Sequence, residues 1–207
     1  MLYNAIAGQN RARLEALSDG LFAFAMTLLV LDLRVPSALG VRTEGDLLHA
    51  LAHLGPRFVP YLLSFMTLSI FWIGQQTQLN GLTRTDRNLT WLHLAFLLPV
   101  TLVPFSTSLL AEFLDSRVAL GIYWLNLFLL GATLYAGWRY ARHADLVKSE
   151  LDEATRDSFD RRIIVAQSLY AIAAMLALVS TYWAIAAIIL IQLNYVIAPR
   201  VRWLYRL

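Results

Sequence analysis

The chain contains no cysteine, and only 15% of its 207 residues are charged. The first absence excludes a disulfide framework, a thiolate nucleophile and any Cys-ligated metal. The second stands beside 58% hydrophobic residues and a mean hydropathy of +0.57. A soluble domain is about 45–50% apolar and about 25% charged, so the surplus apolar surface needs a non-aqueous surrounding. Catalytic motifs are also missing. There is no Gly-x-Ser-x-Gly elbow, no His-Glu-x-x-His and no Gly-rich phosphate loop, so an enzyme is not expected. The Thr-Val-Gly-Tyr-Gly filter is absent as well, which leaves any ion selection to side chains rather than carbonyl rings. A formal charge of +3 bears on membrane orientation and does not indicate nucleic-acid binding.

What is present is a series of charge-free runs: Phe58 to Thr83, Asn88 to Ala111, Val118 to Trp138, and the longer Ile163 to Pro199. A spanning helix needs roughly 20 predominantly apolar residues. The first three runs each provide one span. The last provides two, broken near Ser180-Thr181-Tyr182-Trp183, where polar and interfacial aromatic residues suit a turn. An earlier apolar run, Gly20 to Leu31, is short and bounded by Asp19 and Asp32. Glu15 and Asp19 before it, with no small-residue cleavage site after it, argue against a signal peptide. Extended over 14–35 it is long enough to span. The expectation is an all-α membrane protein of six transmembrane helices in one domain, 1–207, with spans near 14–35, 57–80, 88–111, 118–140, 162–180 and 183–199.

Six spans place both termini on one side. Thirteen of the 17 Lys and Arg fall on that side, including Arg200, Arg202 and Arg206, and only Arg34, Arg42, Arg57 and Arg117 on the other. The positive-inside rule therefore puts both termini in the cytoplasm. The polar stretch Arg139 to Arg162 reads as helix extensions joined by a short turn. The loop Pro36 to Pro56 carries His49 and His53 at helical spacing but no third ligand, so it reads as a short solvated helix and not a metal site. His93, in the third span, reads as a hydrogen-bonded packing residue.

The densest polar segment opens the first span: Arg13-Leu14-Glu15-Ala16-Leu17-Ser18-Asp19-Gly20. A carboxylate, a hydroxyl and a guanidinium within two turns can satisfy one another, or partners such as Trp72, Gln75 and Gln76 of the second span. Buried polar groups must be paired, so their direct role is to fasten helices. Further along, Phe24, Thr27, Leu28 and Leu31 form a stripe at i, i+3, i+4, i+7. Spacing alone allows that stripe to face lipid, core or a pore.

Arg13-x-x-x-Leu17-Ser18-Asp19 resembles the Arg-x-x-x-Phe-Ser-Asp signature of the transmembrane protein 175 family of potassium channels. The likeness continues through Gly20-Leu21-Phe22-Ala23 and Thr27 to Asp32. It extends to Phe65 to Gln76 with Trp72, and to Leu92 to Glu112 with Pro104-Phe105-Ser106-Thr107. The resemblance implies a potassium-permeable channel of the single-repeat prokaryotic kind in the cell membrane. It implies a homotetramer whose pore is lined by the first helix, with potassium as permeant ion, lipids as surroundings and no cofactor. Phe24 then takes the place of the family's hydrophobic constriction, Thr27 of its polar ring and Leu31 of a further apolar ring, with Asp32 at the mouth. Four positions depart from the pattern. Leu17 replaces the motif Phe, Phe24 replaces Ile or Leu, and Gln75-Gln76 stand where many members have His-His, so pH sensitivity carried by that pair is not expected. The rival readings are a proton-coupled carrier or proton channel using Asp19 and Asp32, and a non-transporting membrane scaffold.

Overall fold

In the computed structural model, which describes residues 10–197, Asn10 caps the first helix, α1 (Arg11–Leu28), by accepting from Arg13 N at 3.1 Å. The helix tightens into a 3-10 turn, Leu29–Asp32, and stops short of Pro36, whose ring disfavours helical backbone at Val35. Against the expected 14–35, it starts and stops three residues earlier. A second helix, α2 (Glu44–Ala52), is short and buries none of its residues; His49 lies in its last turn and His53 is its C-cap. Thr43 and Asp46 close a capping box at its start: Thr43 Oγ1 accepts from Asp46 N at 3.1 Å, and Asp46 accepts from Thr43 N at 2.9 Å and Arg42 N at 3.1 Å. The Arg42 N–H, followed by the Thr43 hydroxyl and N–H, holds the Asp46 carboxyl below the usual carboxylate range.

The remaining helices are α3 (Gly55–Asn80), α4 (Arg87–Glu112), α5 (Arg117–His143), α6 (Glu153–Met175, extended by a 3-10 turn to Leu178) and α7 (Thr181–Ile197). Side-chain caps start three of them: Asp86 accepts from Leu89 N, Ser116 from Ala119 N and Asp152 from Thr155 N. Among the described residues five segments, Arg11–Asp32, Gly55–Asn80, Arg87–Glu112, Arg117–His143 and Glu153–Leu178, are long and apolar enough to cross a membrane; α7 is a shorter apolar helix. Its 17 residues rise about 26 Å, against about 30 Å of hydrocarbon. Residues 198–199 of the expected last span, with Arg200, Arg202 and Arg206, lie outside the described residues.

Helix α6 extends upstream of the span bound at 162, within the stretch read as a helix extension, and its charged first turns are held by α5. Arg142 pairs with Glu153 (3.1 Å), Asp157 (2.9 Å) and Asp160, and Arg139 lies 3.6 Å from Asp160. The polar stretch between the two helices is thus two helix ends zipped by ion pairs, with a turn that bridges Val147 to Leu82.

Helices α4 and α5 pack along their length, α1 lies on α3 and α4, and α6 and α7 close the bundle. At the end nearest the α5–α6 turn the core is built on Leu14, Leu79, Leu89 and Trp138. Phe22, Leu29, Leu68, Val100 and Leu130 form the middle, and Leu63, Leu110, Tyr123 and Ile188 the far end. Pro99 and Pro104 each remove a donor from the α4 ladder. Asn126 of α5 reaches the stretch between them, with its amide nitrogen on Pro99 O and its oxygen facing Ser106 Oγ and Val103 N, each at 3.1 Å. Gly131 is a close approach: a Cβ there would collide with the Gln167 amide, which donates to Leu127 O at 3.3 Å.

Candidate functional site: a first helix pinned along one face

One face of α1 is buried, through Leu14, Ser18, Phe22 and Ala25 and on to Leu29 in the 3-10 turn. This is the 3.6-residue period of a helix seated in a groove. Four polar residues fasten it. Near its start, Arg11 donates to Leu82 O at 2.9 Å, just past the end of α3, and pairs with Glu15 at 3.0 Å. Two turns on, Ser18 Oγ is fully buried, 2.6 Å from His93 Nε2 of α4, and accepts from Gln75 Nε2 of α3 at 3.1 Å. Ser18 Oγ donates to Leu14 O at 2.9 Å, and the direction of its bond with His93 Nε2 follows the imidazole tautomer. Beside it, Asp19 Oδ1 accepts from both Trp72 Nε1 (2.8 Å) and Gln76 Nε2 (2.6 Å). At the other end, Asp32 Oδ2 accepts from Ser108 Oγ of α4 at 2.6 Å.

The structure thus gathers Ser18, Asp19, Trp72, Gln75 and Gln76 into one cluster and places Asp32 in a separate contact. Arg13 is exposed, and its side chain meets no partner among the described residues; Arg11 does the fastening at this end. His93 brings an imidazole into the cluster although Gln75 and Gln76 stand in place of the His pair. Ser108 and Arg11 carried no sequence signal, because helical spacing marks a face but not which residue of another helix meets it.

The opposite side of α1 is free within the chain. Phe24 is 62% exposed and Leu31 68%, and Thr27 is exposed while Leu28 is half-buried. Thr27 Oγ1 donates to Phe24 O at 2.8 Å. That bond engages its proton and leaves its oxygen lone pairs turned away from the helix. Arg13 and Gly20 continue the same face towards the start of the helix. No three His, Asp or Glu converge into a metal site among the described residues.

A model of the family described as Endosomal/lysosomal potassium channel TMEM175 matches residues 13–104, which contain the whole cluster. A potassium channel of Streptomyces collinus is 35% identical over 188 residues, covering 88% of this chain and 90% of that one. The Endosomal/lysosomal proton channel TMEM175 of Homo sapiens is 36% identical over 111 residues, 50% of this chain and 22% of that one. Among solved structures, the crystal structure of a lysosomal potassium-selective channel TMEM175 homolog from Chamaesiphon minutus superposes with a TM-score of 0.78 at 28% identity, covering 92% of this chain and 98% of that one. This is a family of multi-pass membrane channels and not of enzymes. With a fastened, half-free first helix and nearly its whole length aligned to a curated potassium channel, the chain belongs to the TMEM175 channel family.

Proposed function

We propose that the chain forms a potassium-permeable, potassium-selective channel of the plasma membrane, with four copies around one axis and α1 lining the path. The observation that carries this reading is the division of α1 into a pinned face and a free face that holds Phe24, Thr27, Leu28 and Leu31. Around a fourfold axis, rings of Phe24 and Leu31 narrow the path and gate it by dewetting. The Thr27 oxygens face a partly dehydrated cation, and Asp32 raises cation concentration at the mouth. Helix α7 is the sixth span, and the Arg-rich side, with both termini, is cytoplasmic. The partners are lipids, potassium and three further copies of the chain; neither a cofactor nor nucleic acid enters. Support comes from the named function of the Streptomyces collinus relative and from the hydrogen bond that orients Thr27.

The test is potassium flux through purified protein in liposomes. Flux that changes in both Phe24→Ala and Thr27→Ala fits the reading, and wild-type behaviour in both rejects the pore assignment. A second reading, proton transport through the α1 carboxylates, is favoured by the name of the human relative. Both carboxylates already accept hydrogen bonds from other helices, which suits fastening better than a proton relay. Current steps carried by potassium at symmetric pH discriminate between the two.

A further inference from the structure

Helix α3 packs on α7, and α6 packs on α5 and α7. Between α3 and α6 lies a cleft of about 100 Å³, floored by Leu134 of α5. Its walls are apolar, with Ile70 and Ile73 on one side and Ile163 and Ala166 on the other. Arg162 also lines it, with its guanidinium 5.4 Å over the Tyr195 ring. Arg139 and Arg142 are paired with Asp160, whereas Arg162 has no carboxylate partner among the described residues. The hydroxyl of Tyr195 and Oε1 of Gln167 are buried along the same cleft without a hydrogen-bond partner among the described residues.

The depth of the cleft follows from the sequence. Arg162 is the last charged residue of α6, and no Asp, Glu, Lys or Arg follows it through Leu178. It therefore stands at the boundary of the charge-free stretch, the level at which an arginine reaches for headgroups. An apolar cleft with an unpaired cation at an interfacial rim complements an amphiphile with an anionic head. The cation–π contact with Tyr195 holds the guanidinium over the ring, and no carboxylate among the described residues competes with phosphate oxygens for its N–H groups. We propose that this cleft binds an anionic glycerophospholipid from the leaflet that meets the α5–α6 turn, with its phosphate on Arg162 and an acyl chain along Ile70, Ile73 and Ile163. The site does not depend on which ion the protein passes.

Native mass spectrometry of the full-length purified protein tests it, with dioleoyl phosphatidylglycerol, dioleoyl phosphatidylcholine or oleate added to the micelles. Phosphatidylglycerol is expected to be retained about fivefold better than phosphatidylcholine, and Arg162→Gln to remove that preference. Arg162→Lys keeps part of it. Gly74→Leu, at a cleft position where a Cβ meets only Leu134 Cδ2 at 3.7 Å, lowers retention with the arginine intact. Arg57→Gln, whose partner Glu112 lies at the opposite end of the bundle, leaves it unchanged. Equal retention of the two phospholipids, or unchanged preference in Arg162→Gln, overturns the proposal. Preference for oleate over phosphatidylglycerol also overturns it and points to a carboxylate ligand.

Discussion

Asp19 takes two donors from α3 on one oxygen, so its removal strands both Trp72 Nε1 and Gln76 Nε2. Asp19→Ala is expected to destabilise the protein by about 1–2 kcal/mol, seen as earlier loss of the folded peak in heated size-exclusion runs. Trp72→Phe should cost less at this contact, because Gln76 still holds the carboxylate. The two N-terminal arginines separate cleanly by the same measurement. Arg11 grips a backbone carbonyl past the end of α3, so Arg11→Ala should lower stability, whereas Arg13→Ala should change the fold of one protomer by no more than about 0.5 kcal/mol. An effect of Arg13→Ala on assembly or current alone would place that residue between copies. The Ser18–Asp19 pair was legible as a fastening because costly polar groups sat together at the start of an apolar run. The identity of the arginine was not, since Arg11 and Arg13 both fit the first turn and only the packing of α1 on α3 chooses between them.

At the scale of elements, boundaries follow local chemistry. The run Asn88 to Ala111 lies inside α4, while the run Phe58 to Thr83 overshoots α3, which ends at Asn80. Absence of charge marks what tolerates lipid, and caps decide where the helix starts and stops; Asp152, for example, starts α6 within the charged stretch, ahead of the charge-free run that opens at Ile163. The α2 cap makes a pH-dependent case. The Asp46 carboxyl is held low by donors present only in the folded helix. Its contribution is therefore full above the ordinary carboxylate value and is lost as pH falls through the lowered one. Chemical shifts of α2 in an acid titration should lose helical character there while α4 and α5 keep theirs, and Asp46→Asn should blunt the transition. Between α5 and α6, Gly131→Ala must expel the Gln167 amide, costing about 1–3 kcal/mol; Gln167→Ala in the same chain should recover part of the lost melting temperature. Neither residue stood out in the sequence, because a close approach between two helices depends on their crossing and not on either helix alone.

For the whole molecule, the division of α1 organises everything else. Helices α3 and α4, with α5 packed on α4, hold the first helix by Arg11, Ser18, Asp19 and Asp32, and leave Phe24, Thr27 and Leu31 unburied. A single copy leaves that stripe unpartnered, and in the proposed assembly four copies around an axis turn it into a path. The measurement that tests this most directly is the reversal potential of purified protein in a bilayer with potassium on one side and sodium on the other. The wild type should reverse close to the potassium equilibrium potential. Thr27→Ala should shift reversal towards zero. Phe24→Ala should raise conductance, about tenfold for each 1.4 kcal/mol that the ring adds to the barrier. Reversal and conductance indistinguishable from wild type in both variants would contradict the account, because a path that ignores Phe24 and Thr27 does not run along α1.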